Sequence, residues 1–226
     1  MVSVLDEQSG QTRGASRSVK KLHRRYDPCE NEGVSHAFRW AWIMTATGFA
    51  LFETAIGACG IAWRAEGIVG LQLPEATRSA AYGRLRRRFP HLAHADPPAP
   101  IAAAIARLAA FLEGGSDDFA DLALDPGATS AFDRAVYRET RAIKAGSTST
   151  YGAIAARLGD PGQARAVGQA LGRNPWPIVV PCHRVTGADG KMGGFSAPGG
   201  RSTKLRLLEI EGALKAETLP LFGPPC

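Results

Sequence analysis

The sequence predicts a chain in two folded parts, a small α/β unit followed by a mainly helical unit built around a helix-turn-helix pair. Three observations carry that expectation. Aromatic and β-branched runs broken by turn residues occupy Phe38–Trp63 and Gly67–Pro74, the pattern of a hairpin array. Two helical stretches then follow, Pro74–Phe89 and Pro100–Gly115. Beyond Thr129 the hydrophobic period becomes helical, and two short Ala-rich helices flank a break at Gly159–Asp160–Pro161–Gly162.

Composition sets the outer bounds. At 226 residues, 45% hydrophobic and 21% charged, the chain can bury a sizeable core without disulfides. Its cysteines, at positions 29, 59, 182 and 226, form no CxxC and no regular spacing, which suits a reducing cytosol. The net charge of +6 is unevenly placed. Thr129–Gly212 holds 12 basic and 6 acidic residues, whereas the remainder holds 15 of each. All the excess positive charge lies in the second part, the footprint of a protein that meets phosphate backbones, although a merely solvated basic face has the same composition.

The elements read in order as follows. Residues 1–43 are polar, rich in Ser, Gly, Lys and Arg and without hydrophobic period, so they are expected to form a disordered basic extension with no secretory core. Phe38–Trp63 is apolar but interrupted by Glu53, and its run before that residue is too short to span a bilayer; two strands about a Glu53–Thr54 turn explain it better. Gly67–Pro74 supplies a third strand. The next helix is expected to start with Pro74 and Glu75 in its first turn, and a second to run from Pro100 to a stop at Gly114–Gly115. "DFADLAL" (Asp118–Leu124) is expected to add an edge strand, with a domain boundary at "DPGATS". The expected units are therefore 44–125, 126–213 and a tail of 214–226. In the second unit Phe132, Val136, Tyr137 and Ile143 share a face of a helix expected to end at Gly146. Arg165 lies at the start of the second Ala-rich helix, where it can reach DNA.

"NPWPIVVPCHRVTG" (Asn174–Gly187) raises the chemical question. Its Pro175–Val180 run is expected to be extended and buried, ending at Cys182. As a zinc ligand this cysteine would need three partners, and none stands at ligand spacing downstream. As a small core residue it is plausible, since free cysteine is often buried, but a core cysteine gives no reason for the adjoining His183 and Arg184. As a nucleophile it needs its thiolate, which a neighbouring histidine can generate if a turn or a bridging water brings the pair together. The histidine in turn needs an orienting carboxylate. Ser202–Gly212 reads as a terminal helix with Ser202 as N-cap. There Glu211 shares the apolar face of Leu207 and Leu208, with Glu209 the alternative.

"NPWPIVVPCHRV" closely resembles the active-site signature of the O6-alkylguanine-DNA alkyltransferases, the methylated-DNA–protein-cysteine methyltransferases. The resemblance covers roughly Thr47–Gly212 and is strongest from Phe132 onward. It implies an RNase H-like α/β domain, then a mainly helical domain carrying a winged helix-turn-helix-like motif. It also implies roles. Cys182 resembles the alkyl acceptor, His183 the water-linked base, Glu211 the carboxylate that polarises it, and Asn174 the brace of the cysteine turn. Tyr151 stands where the family acts on the guanine. Arg165 resembles the finger that fills the space of a flipped nucleotide, on a helix whose Ala164, Ala166 and Gly168 admit close approach to DNA, and Arg173 beyond its end is expected to bind DNA as well. Met192, Phe195 and Ser196 resemble the flap over the base. Phe195 replaces a tyrosine of some members, and "SAPGG" is two residues longer than in some. The cysteine and histidines that hold zinc in some members have no counterpart, so no metal and no cofactor are expected.

The implied activity is repair of O6-alkylguanine in double-stranded DNA, with O4-alkylthymine a further substrate, by a cytoplasmic monomer without membrane attachment. The target base must leave the stack to reach a cysteine. The thioether product has no carbonyl for water to attack, so each molecule reacts once. Three competing readings explain less. A transcriptional regulator accounts for Arg165 and the charge but not for Cys182. A non-catalytic lesion binder lacks the acceptor cysteine, and a cysteine hydrolase leaves the helix-turn-helix unexplained.

Overall fold

A computed structural model describes residues 47–188 and 192–214. The expected basic extension, the strand residues before Thr47 and most of the C-terminal tail lie outside these residues. The first half opens with an antiparallel sheet in the order β1 (Gly48–Phe52), β2 (Cys59–Arg64), β3 (Gly67–Gln72). Central β2 is buried on both faces. Ala62 packs with Phe49 against Leu85, while Cys59, Ile61 and Trp63 enter the main core. Helix α1 (Arg78–Arg88) covers the first face. Gly60 permits that approach, because a Cβ there would lie 2.5 Å from Leu85 Cδ1. Helix α2 (Ala99–Leu112) supplies Ile101, Ala104, Leu108, Phe111 and Leu112 to the other core.

Two boundaries depart from expectation here. Helix α1 begins only at Arg78, because the Thr77 hydroxyl accepts from the Ala80 amide and fixes the N-terminus there, leaving Pro74 and Glu75 outside. The expected edge strand at Asp118–Leu124 reduces to one bridge, Leu124 with Ile68. Asp117 and Asp118 accept from the amides two residues ahead, and Phe119 sits at φ 52°, so the chain turns instead of extending.

The second half contains α3 (Ala131–Arg141), a parallel two-residue ladder of β4 (Ser149–Thr150) with β5 (Val185–Thr186), α4 (Tyr151–Arg157), α5 (Ala164–Gly172) and α6 (Gly200–Ile210). Helix α3 is capped by Ser130 and ends at Arg141, short of Gly146. Its Tyr137 hydroxyl donates to the Ala170 carbonyl and ties it to α5. Between α4 and α5, Gly159 takes φ 96° and the Asp160 carboxylate accepts from the Gly162 amide, which sets the short turn. Gly199 in the left-handed region caps α6, where Ser202 was expected; Ser202 instead lies in the first turn and donates to the Gly199 carbonyl.

One continuous hydrophobic core runs from Ile61 and Trp63 through Leu108, Val136 and Val180 to Leu207. The two halves are also stitched by hydrogen bonds. The Leu71 amide donates to Pro175 O at 2.8 Å, and the Trp176 indole donates to Ile68 O at 2.7 Å. Arg88 reaches both Leu71 O and Pro175 O. Among the described residues no helix is long and apolar enough to cross a membrane.

Candidate active site

Asn174 organises the reactive turn. Its side-chain oxygen accepts from the Trp176 amide at 2.9 Å, and its amide nitrogen donates to Val180 O at 2.8 Å and lies 3.4 Å from Cys182 Sγ. The Val180 amide returns to Trp176 O, and the Cys182 amide donates to Val180 O. The Pro175–Val180 run is thus a compact series of turns, not the extended segment its β-branched residues suggest. The two prolines and the Asn174 side chain compete successfully with sheet pairing. Ile178 is held at φ 78°, a conformation that costs a β-branched residue about 1–3 kcal/mol and that the buried surroundings must enforce. The expected burial is met, since Ile178, Val179 and Val180 are all enclosed.

Cys182–Arg184 forms a single 3₁₀ turn, so cysteine and histidine sit on a bend and not on an extended strand. His183 and the Glu211 carboxylate are enclosed, and Arg184 nearly so. His183 Nε2 meets Glu211 Oε1 at 2.6 Å, while Arg184 Nε and Nη2 donate to the two carboxylate oxygens at 2.9 Å each. Arg184 Nη1 donates to Ile143 O, anchoring the cluster to the end of α3. Burial alone would raise the Glu211 carboxyl, but the hydrogen bonds from His183 and Arg184 outweigh it and hold the group below its ordinary range. Burial lowers the His183 pKa despite Glu211, so the ring is neutral at pH 7. With the ionised carboxylate accepting at Nε2, the proton is assigned to that nitrogen, leaving Nδ1 as the free lone pair. Nδ1 is buried and has no partner among the described residues.

Cys182 is partly exposed at the wall of a cavity of about 300 Å³, shared with Asn174, Pro177, Leu73, Phe195 and Ser196. Burial pushes the thiol up, and the Asn174 hydrogen bond and the charge of Lys204 pull it back. Tyr151 opens α4 and packs between α5 and the loop after Met192. A Cβ on Gly168 would touch its ring at 3.8 Å, and one on Gly193 would meet its hydroxyl at 2.8 Å. Burial also raises the Tyr151 pKa. Met192 is half-buried, and the Ser196 hydroxyl donates to Gly172 O, joining the loop to the end of α5. A larger cleft of about 1010 Å³, between Asp117 and Arg138, does not reach Cys182.

The structure therefore brings together Cys182, Asn174, His183 and Glu211, with Tyr151, Phe195 and Ser196 nearby. Glu209, the alternative carboxylate, faces solvent beside Arg206. Arg165 is exposed on the first turn of α5 with no partner among the described residues, beside the partly buried Ala164, Ala166 and Gly168. Arg173 differs. It forms a two-pronged ion pair with Asp133 in the first turn of α3, so its guanidinium is already engaged within the fold. Sequence reasoning gave no role to Arg184 and passed over Lys204, which is fully enclosed and donates to Val185 O at 2.6 Å. The signal was present: Lys204 precedes Leu207 and Leu208 by three and four residues and Glu211 by seven, a lysine on the packed face of a helix.

Fold and site define a mixed α/β protein with a helical second half, in which a cysteine on a tight turn stands beside a buried His–Glu–Arg cluster. The profile described as 6-O-methylguanine DNA methyltransferase, DNA binding domain, matches residues 131–213. A methylated-DNA–protein-cysteine methyltransferase of Mycolicibacterium paratuberculosis is 45% identical over 127 residues, 56% of this chain and 74% of that protein. One from Methanothermobacter thermautotrophicus is 36% identical over 153 residues, 68% of this chain and 78% of its own length. The crystal structure of Mycobacterium tuberculosis OGT in complex with DNA superposes with a TM-score of 0.60 at 35% identity, covering 74% of this chain and 93% of that one. The chain belongs to the methylated-DNA–protein-cysteine methyltransferase family.

Proposed function

We propose that this chain repairs O6-alkylguanine in double-stranded DNA by moving the alkyl group irreversibly onto Cys182, once per molecule. The observation that carries this reading is the Cys182 turn backed by His183 and Glu211, a nucleophile with a base and an orienting carboxylate. The thiol proton passes to His183 Nδ1, directly or through a water, while Glu211 stabilises the imidazolium that forms. Sulfur then attacks the alkyl carbon, the S–C bond forms as the C–O6 bond breaks, and guanine leaves with the electron pair. Tyr151, kept protonated by its raised pKa, supplies the proton that neutralises the departing base. Asn174 braces the turn, and Met192, Phe195 and Ser196 line the base pocket.

DNA is gripped by the basic second half. We read α4, its turn and α5 as a winged helix-turn-helix, with the β4–β5 ladder beside it, and the first half as RNase H-like. Arg165 enters the stack where the base has left, and Ala164, Ala166 and Gly168 let α5 approach the groove. Arg173 supports this face through its pair with Asp133 and meets phosphate with the exposed part of its side chain. The working units are 44–125 and 126–213 in a cytoplasmic monomer that needs neither metal nor cofactor, and a chain begun at Met44 retains repair.

Intact mass after mixing with O6-methylguanine duplex DNA tests the assignment. One methyl mass is expected, located on Cys182 by peptide mapping and absent from Cys182→Ser. Label on Cys59, or transfer surviving in Cys182→Ser, would overturn it.

A further inference from the structure

The buried charges around Cys182 do not balance when the thiol is neutral. Two enclosed cations stand there, Arg184 and Lys204, against one carboxylate, Glu211. Both Glu211 oxygens are taken up by Arg184 and His183. Lys204 has no carboxylate partner among the described residues. Its ammonium donates to the Val185 carbonyl, and the Val185 amide in turn donates to Cys182 O, so Lys204 is fastened to the back of the cysteine turn. Of the other titratable groups that feel this turn, Tyr137 and Tyr151 carry no positive charge, and burial, with Lys204 adding to it, keeps His183 neutral.

We propose that Lys204 is the buried counter-charge of the Cys182 thiolate, and that alkylation strands it by erasing the negative charge it balances. This deepens the alkyl-transfer reading and rests on Cys182 being the acceptor. As the thiol proton passes to His183, the thiolate that forms and the ammonium neutralise each other inside the protein. The transfer turns the thiolate into an uncharged thioether, and the electron pair leaves with guanine. Lys204 then remains enclosed with a carbonyl as its hydrogen-bond partner and no opposing charge, a state that favours its deprotonation or the opening of the turn. Lys204 acts through sulfur, so it is a positioning residue, and a single cation serves both to ready the thiol and to mark the spent protein.

Iodoacetamide labelling of Cys182 against pH, read by peptide mass on the full chain, tests the first half without DNA. In Lys204→Met the midpoint of the pH–rate curve should rise by about one unit or more, equivalent to roughly tenfold less thiolate at neutral pH, with the high-pH plateau kept. Lys204→Arg should restore the natural midpoint. A folded Lys204→Met protein with an unshifted midpoint, or with only a lowered plateau, overturns the proposal. The second half uses the natural chain, so it stands even if the variants fail to fold. Burial lowers the Lys204 pKa, so once the thiolate is gone the unfolded chain binds more protons and stability must climb with pH. The Cys182-methylated chain should therefore gain urea stability between about pH 7.5 and pH 9, above the range in which free histidines titrate, and a flat profile over that interval overturns it. Failure of O6-methylguanine DNA to methylate Cys182 would instead sink the alkyl-transfer reading, while the iodoacetamide comparison still judged Lys204.

Discussion

Two arginines in this protein make nearly the same contacts in opposite surroundings. Arg107 on α2 meets Asp117 and Asp121 at 2.7–2.9 Å, with its side chain one-third exposed and Asp121 69% exposed. Arg184 meets Glu211 at 2.9 Å with both groups enclosed and a neutral histidine completing the set. Distances do not separate the two clusters; water does. Around Arg107 the charges are screened, and the pair pins a loop against Phe119 for little net energy. Around Glu211 the desolvation cost is heavy, and an apolar replacement of the whole set would cost the fold little. On the proposed mechanism, the work of His183 as a base is the reason the charges stay.

Breaking one member of each cluster sharpens the contrast. The largest effect is expected for Glu211→Gln, which leaves Arg184 charged and enclosed. It should lose about 3–5 kcal/mol in urea unfolding, as broken buried pairs do, and should also slow labelling of Cys182. Arg165→Ala probes an arginine that is exposed and has no partner among the described residues. It should slow repair of duplex DNA by about tenfold or more, since extrusion of the base costs a few kcal/mol, yet leave stability and reaction with free O6-benzylguanine nearly unchanged. Equal loss with duplex and free base would give Arg165 a structural role. Arg107→Met should cost only about 0.5–1 kcal/mol and leave alkyl transfer intact.

Acid titration compares the two clusters in the natural chain. Glu211 and Asp117 both have folded pKa values below their ordinary ones, so each contributes stability above pH about 4, lost as pH falls through its folded value. The enclosed Glu211 should dominate. Glu211→Gln should flatten the acid limb of the stability curve well below pH 5, and Asp117→Asn should change it little. A reversal of that order would show that the surface cluster carries more than its exposure suggests.

Most of the architecture was legible because it rests on local signals. The three strands follow from β-branched runs and turn residues, and α2, α4 and α5 from helical period and Gly or Pro punctuation. Misreadings arose where a side chain claimed backbone hydrogen bonds. Thr77 set the start of α1, Asp117 and Asp118 dissolved an edge strand, and Asn174 curled the Pro175–Val180 run. At the site, periodicity puts Glu211 on the packed face but leaves Glu209 open, and the family resemblance chooses between them. Lys204 occupies the same face and was missed, since long basic side chains are assumed to escape to solvent. The ion pair of Arg173 was not legible, because its partner, Asp133, lies forty residues earlier.

The indole bond from Trp176 to Ile68 spans 108 residues of chain. Ile68 and Leu71 are made on the ribosome well before the cysteine turn they support. A fragment holding only residues 131–213 would carry Cys182, His183 and Glu211 yet lose the bonds from Leu71 and to Ile68 that fasten the Pro175–Trp176 bend to the sheet. The order of synthesis thus puts the Cys182 turn after the strand residues that shape it.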